Sequence, residues 1–475
     1  VNLLDPFLAG AERHAARTAI VAGDGVRTSF GELIASSAAL ASAWRRAGIG
    51  KGDRVVIAMP LGPSLYAGLA ALWRLGAVAV LPEPAMGLKG LRHAARATAP
   101  KAYLSDGWYR LLRYGLPELW PVGLMLTPQD AGMAGEPVEA LIPEHPALIS
   151  FTSGSTGKPK AIQRSHGFLA AQNAALTGLL APQREDETDL VAFPVFVVAN
   201  LGLGITSVLP NWNLKRHDQA SAEAVAQHIS AQRVTRALVP PSICETLAQG
   251  GAALKLDALF TGGGPVFPDL LERLSRKLTG SDIVVVYGST EAEPIAHLHH
   301  RDIGAADWEA MRTGAGLLAG RPVDEIALAI IDDEIVVTGD HVNKGYVDPA
   351  DDASTKLKRD GEIWHRTGDT GRLDDHGRLW LGGRLDGRAG KLMPFCVEAA
   401  SRFWPGIRRS ALIADAGRAV LAVEGEVSSK PVWEREAQRL GEIEIVVLDA
   451  IPLDRRHRSK VDYVALRQRI AAARR

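Results

Sequence analysis

Between Phe30 and Leu81 the sequence alternates twice between helix-like and strand-like patterns. FGELIASSAALASAWRRAGI is amphipathic with its end at Gly48, and DRVVIAM follows as a short apolar strand; SLYAGLAALWRLG then leads into AVAVL. Strands separated by helices of this length cannot form hairpins, so they must pair in parallel through helical crossovers. The alternation returns in AEAVAQHISAQRV with TRALVP, and in LLERLSRKLTG with DIVVVYG. An α/β fold with largely parallel sheets is therefore expected for the first, larger part of the chain.

From about Pro322 the pattern changes to EIALAII, DEIVVTG, GEIWHRTGD and GRLWLGGR, separated by Gly and Asp turns. These pieces predict a small β-rich subdomain. The remaining residues carry enough helix and strand pattern for a small mobile α+β domain. The expected division is an N-terminal domain over 1–384, a hinge at 385–388 centred on Asp386, and a C-terminal domain over 389–475. A chain of 475 residues is longer than one hydrophobic core usually supports, which agrees with such a division.

Charge is balanced at 54 basic and 54 acidic residues, so nothing in the overall charge argues for a nucleic-acid or membrane-surface partner. SLYAGLAALWRLGAVAVL is interrupted by Arg74 and Gly76, so it reads as a buried helix entering a strand, not a transmembrane segment. The first residues lack the basic-then-apolar order of a signal peptide, and the two cysteines, Cys244 and Cys396, have no metal-ligand spacing. A cytoplasmic protein with reduced thiols is the expectation.

SFTSGSTGKPK, Ser150 to Lys160, combines backbone-permissive glycines with hydroxyls and lysines, the chemistry of a phosphate cradle. It is not a Walker loop, because Pro159 stands where the metal-binding Ser or Thr belongs. That mismatch counts against an ADP-releasing phosphotransferase. Further along, FTGGGPV supplies Gly262, Gly263 and Gly264. VVVYGSTEAEP places Tyr287, Gly288, Ser289, Thr290 and Glu291 directly after an apolar strand. HRTGDTGRL carries Asp369, GGRLDGR carries Arg384 and Asp386, and RRHRSKVDY carries Lys460.

In this order and spacing the set resembles the acyl-adenylate-forming superfamily of acyl-CoA synthetases, adenylation domains and luciferases. The resemblance runs from about residue 10 to residue 465. It implies activation of a carboxylic acid by ATP and Mg²⁺ to acyl-AMP and pyrophosphate. By the same resemblance, Thr152, Ser153, Gly154, Ser155, Thr156, Gly157 and Lys160 would hold the β- and γ-phosphates. Tyr287 would stack on adenine where Gly262 to Gly264 leave room, with Gly288 and Ser289 beside it. Thr290 would meet the α-phosphate, Glu291 would hold Mg²⁺, Asp369 would take the ribose hydroxyls, and Arg384 would reach the ribose or the α-phosphate. Lys460 would bridge the carboxylate and the α-phosphate, where two anions must meet. A nucleotide sensor without catalysis would have no use for Lys460, Glu291 and Asp369 together.

VAFPVFVVANLGLGITSVLP predicts an apolar acyl pocket with Phe193, Phe196, Asn200 and Gly204 on its wall. After the hinge, GRAGKLMPFCVEAA lacks the Gly-rich loop through which relatives admit a thiol. That departure and RRHRSK are similar to the β-lactone synthetases of olefin pathways, which close a 3-hydroxy acid on its own hydroxyl. The acceptor stays open at this point between an internal hydroxyl, CoA, the phosphopantetheine of an acyl-carrier protein or another pathway enzyme, and an amine.

Overall fold

The computed structural model describes the chain except residues 83–85, 131, 133–134, 153–158, 215–219, 252, 455–459 and 475. It divides into two compact units, one of Val1–Lys215, His228–Leu238 and Asp340–Lys356, the other of Arg216–Gln227, Val239–Gly339 and Leu357–Arg475.

In the first unit the expected alternation becomes a six-stranded sheet. Its order is Leu124–Leu126, Ala102–Ser105, Arg54–Ala58, Val78–Leu81, Pro146–Phe151 and Ala161–Ser165. All neighbours are parallel except the last pair, which is a hairpin. Four other strands, Arg236–Leu238, Thr188–Val191, Thr206–Val208 and Thr18–Val21, also run parallel. Helix Phe30–Arg46 begins at a capping box in which Ser29 and Glu32 satisfy each other's backbone N–H, and it buries Leu33, Leu40 and Trp44. Helix Pro63–Arg74 packs against it, and Gly76 turns the chain into the next strand at φ +66°.

In the second unit strand Ala258–Gly262 pairs in parallel with Asp282–Ser289. An antiparallel run then follows through Ala292–His299, Leu317–Pro322, Leu379–Arg384, Glu362–Leu373, Glu334–Thr338 and Ala327–Ile331. Its strands from Ala327 onward are the β-rich segment expected after Pro322. Its hairpin at Asp332 and Asp333 takes two consecutive left-handed residues, as tight two-residue turns require.

The same unit ends in a three-stranded sheet of Ile407–Asp415, Arg418–Gly425 and Ile443–Val447. Strand alternation puts Leu412 and Leu421 on one face with Val397 and Trp433, and Ile413 and Val420 on the other with Leu466 and Ile470. Helices therefore cover both faces. The fold is the mixed α/β architecture that the alternation predicts.

Candidate active site

Antiparallel pairing of Phe151 with Ala161 and of Ser150 with Ile162 brings the two ends of the phosphate-cradle sequence together. The N–H of Thr152 donates to the Lys160 carbonyl at 3.0 Å, closing the base of the loop. Thr152 is buried. Ser153, Gly154, Ser155, Thr156 and Gly157 lie outside the described residues. Lys160 points its ammonium over the Tyr346 ring, 5.2 Å from the centroid, and Lys356 lies 5.1 Å from the same ring. Tyr346 also bridges Ile162. Reading the sequence alone missed Tyr346 and Lys356, although a tyrosine in KGY and a lysine ten residues on were the available signal.

The second unit brings Tyr287, Asp369 and Arg384 together. The Tyr287 hydroxyl donates to Asp369 Oδ2 at 2.8 Å, and Arg384 Nη1 donates to Asp369 Oδ1 at 3.1 Å and to the Thr367 carbonyl at 2.9 Å. Asp369 and Arg384 are cross-strand partners, which aims both side chains to one side of the ladder. Between them, Gly368 takes φ +71°, and a Cβ there would stand 2.6 Å from Arg384 Nη2. The glycine of the TGD sequence is thus required twice, by its conformation and by the guanidinium lying across it.

Burial pushes the Asp369 carboxyl up from its ordinary value, against the charge of Arg384, the Tyr287 hydroxyl and the charge of Lys460. Burial likewise holds the Tyr287 phenol protonated, reinforced by the negative charge of Asp369. Lys460 is exposed; its N–H donates to Asp454 Oδ1 at 3.1 Å, while Asp454 N–H donates back to the Lys460 carbonyl at 2.8 Å.

Thr290 and Glu291 form the tip of the hairpin between Asp282–Ser289 and Ala292–His299, where Ser289 pairs with Ala292. Glu291 N–H donates to Ser289 Oγ at 3.3 Å. Gly288 sits where a Cβ would come 2.9 Å from the Ala292 carbonyl oxygen, and Gly262 where one would come 2.4 Å from that of Val286. Close strand approach excludes a side chain at either position. Gly263 takes φ +76°, turning the chain with Gly264 toward the helix at Pro268. Among the described residues no three His, Cys, Asp or Glu side chains gather as a metal cage. The Glu291 carboxylate is of the type that fits Mg²⁺, which is usually carried by phosphates and one or two carboxylates.

The expected acyl-pocket residues separate. Phe193 caps helix Pro194–Leu203 and meets Phe196 edge to face at 5.8 Å. Phe196 lines an apolar cavity with Leu3, Trp73, Leu148, Leu169 and Leu176. Asn200 is fully buried, and its amide donates to Asp189 Oδ2 at 3.0 Å and Ser207 Oγ at 3.1 Å. Arg236 grips the same Asp189 through Nε at 2.8 Å and Nη2 at 2.9 Å. Gly204 ends the helix in the left-handed conformation at φ +71°.

Residues 7–347 match the AMP-binding enzyme family. The chain belongs to that family. As an AMP-binding enzyme it is an ATP-dependent, acyl-adenylate-forming synthetase. It is 30% identical to an olefin β-lactone synthetase of Stenotrophomonas maltophilia (strain K279a), over 92% of this chain and 90% of that one. Two solved structures share the fold. The amide bond synthetase McbA from Marinactinospora thermotolerans has a TM-score of 0.80 at 20% identity, covering 98% of this chain and 99% of its own. The O-succinylbenzoate coenzyme A synthetase MenE from Bacillus subtilis, solved with ATP and a magnesium ion, has a TM-score of 0.77 at 22% identity, covering 98% and 99%.

Proposed function

We propose that this AMP-binding enzyme activates a 3-hydroxy fatty acid and closes it to a β-lactone. The observation that carries the reading is the identity with an olefin β-lactone synthetase, spread over 92% of the chain. A local feature agrees with it. After Arg388 the backbone makes one tight turn, with Ala389 and Leu392 exchanging N–H donors at 3.0 and 3.1 Å, and enters helix Pro394–Ser401 at once. That geometry leaves no extended loop in this segment to receive a thiol.

In this reading Thr152 to Lys160 hold the outer phosphates of ATP, Tyr287 stacks on adenine beside Gly262 to Gly264, and Asp369 with Arg384 takes the ribose hydroxyls. Thr290 contacts the α-phosphate. Glu291 holds Mg²⁺, which when bound neutralises phosphate charge. A carboxylate oxygen attacks the α-phosphorus, and the bond to the pyrophosphate oxygen breaks. Lys460 places its ammonium between the two anions, where an oriented charge is worth most. The segment from residue 389 turns about Asp386, removing Lys460 once the adenylate exists. The substrate's own 3-hydroxyl oxygen then attacks the carbonyl carbon, the bond to the AMP oxygen breaks, and the hydroxyl proton passes to solvent. No second acceptor is needed, because an attached hydroxyl reacts at high effective concentration.

The test is product analysis by mass spectrometry with ATP and without CoA, comparing a 3-hydroxy fatty acid with its 3-deoxy analogue. Lactone and free AMP from the first alone are expected. Turnover of both acids only when CoA or a loaded carrier protein is added would make this a thioester-forming ligase.

A further inference from the structure

In the first unit, the segment from Gly107 to Trp120 leaves four large side chains in solvent: Trp108, Leu111, Tyr114 and Trp120 are 58%, 67%, 78% and 62% exposed. Isolated exposed apolar residues are ordinary, but four within one short helical stretch are not. The stretch is held in place by its own short helices, Gly107–Leu111, Leu112–Gly115 and Pro117–Leu119, which pack on one another in sequence. Tyr103 anchors it from beneath by donating its hydroxyl to the Tyr109 carbonyl at 2.7 Å. The aromatic groups are therefore presented by a fixed scaffold.

Around them Arg92, Arg96, Arg110 and Arg113 outnumber the two carboxylates Asp106 and Glu118, so the charges of this segment are net positive. Arg110 and Arg113 lie within the stretch, and neither has a carboxylate partner among the described residues. The Glu118 carboxylate is nearly buried and already shared by Arg92 and Arg96. Those two arginines follow the exposed Leu88 at four-residue spacing on helix Gly87–Thr98, so all three lie along one face. Asp106 is occupied by the Gly107 N–H at 2.8 Å and the Gln129 amide at 3.1 Å. Tryptophan and tyrosine with an apolar body and a polar tip, beside arginines lacking counter-charges, are the chemistry of an interface between water and an anionic bilayer.

We propose that this face docks the enzyme on the surface of an anionic lipid membrane. Among the described residues no helix is long and apolar enough to cross a bilayer, so the association is peripheral. The rings of Trp108, Tyr114 and Trp120 enter the headgroup layer, and Arg110 and Arg113 meet lipid phosphates.

Flotation with vesicles of phosphatidylcholine and phosphatidylglycerol, against vesicles of phosphatidylcholine alone, tests this. The wild-type chain is expected to float with the anionic vesicles and to be released by salt. Removing both charges in R110Q/R113Q should lower partitioning about 25-fold, at roughly a factor of five per arginine near an anionic surface. W108A/Y114A/W120A should lose binding while keeping adenylation of a short soluble acid, since none of these residues belongs to the candidate site. Wild-type protein that stays with neither vesicle, or variants that float as well as wild type, would overturn the proposal. So would capture by an acidic carrier protein in the absence of any vesicle binding.

Discussion

The Tyr287 hydroxyl and Asp369 Oδ2 meet at 2.8 Å across 82 residues of sequence. One comes from the strand that leads to the Thr290–Glu291 turn, the other from the strand whose partner carries Arg384. The bond ties the ring proposed to stack on adenine to the carboxylate proposed to hold the ribose. Removing the carboxylate in Asp369→Ala would leave the Tyr287 hydroxyl and the Arg384 guanidinium short of an acceptor. AMP binding is expected to weaken by about 1–3 kcal/mol. Tyr287→Phe keeps the ring and loses only the donor, so its effect should be the smaller, on the order of 1 kcal/mol. Calorimetry with AMP measures both, and unchanged dissociation constants would reduce the pair to a structural role.

Lys460 contributes its charge to Asp369 while its backbone is tied to Asp454. Lys460→Ala should slow carboxylate-dependent pyrophosphate exchange roughly 10²-fold or more, the scale of losing one preorganised charge stabiliser. ATP affinity should change little, because the adenine, ribose and outer-phosphate contacts are assigned elsewhere. Exchange at the wild-type rate would remove Lys460 from the reaction.

What was legible in the sequence follows from the range of each signal. Helix and strand periods are local, so Phe30–Arg46, Arg54–Ala58 and Pro63–Arg74 could be read from their own residues. Tyr287, Asp369 and Arg384 stood out singly, but their meeting depends on a cross-strand register with an irregularity between Thr370 and Gly371, which no local pattern encodes. Asn200 reads from its apolar surroundings as pocket lining. In the structure its amide serves Asp189, whose other donors come from Arg236, 47 residues away. A buried carboxylate gathers donors from wherever the fold brings them, and sequence spacing is silent on that.

The Asp189 carboxylate and the Arg236 guanidinium are both buried, with Asn200 and Ser207 completing the network. Burial pushes the Asp189 pKa up, against the hydrogen bonds and charge of Arg236 and the Asn200 amide. Arg236→Met would strand a buried carboxylate and should destabilise the enzyme by about 3–5 kcal/mol. The double variant Asp189→Leu with Arg236→Met should recover part of the loss, since Asp189 is then no longer stranded, although buried Glu187, 3.8 Å from the Arg236 guanidinium, still loses its cation. Urea unfolding of wild type, the two single variants Asp189→Leu and Arg236→Met, and the double variant decides between this coupling and independent effects, for which the two changes would add.

Glu398 is 2% exposed on helix Pro394–Ser401, where its Oε1 accepts the Leu412 N–H at 2.8 Å. Burial pushes its carboxyl up from 4.5 to about 8, more than the Leu412 hydrogen bond and the nearby charge of Arg402 can offset. The folded protein therefore keeps a proton there that the unfolded chain has already released. Between those two values the folded state binds more protons, so raising the pH lowers stability, by up to about 1.4 kcal/mol per pH unit from this group. Below the lower value the group has no effect on the slope, and above about 8 the full penalty is present. Glu398→Gln keeps the size and the acceptor for Leu412 but has no proton to lose. The difference in urea stability between variant and wild type should therefore grow in the variant's favour as pH rises from about 5 to about 8. Parallel stability curves across that range would mean that Glu398 ionises in the folded state as it does in water.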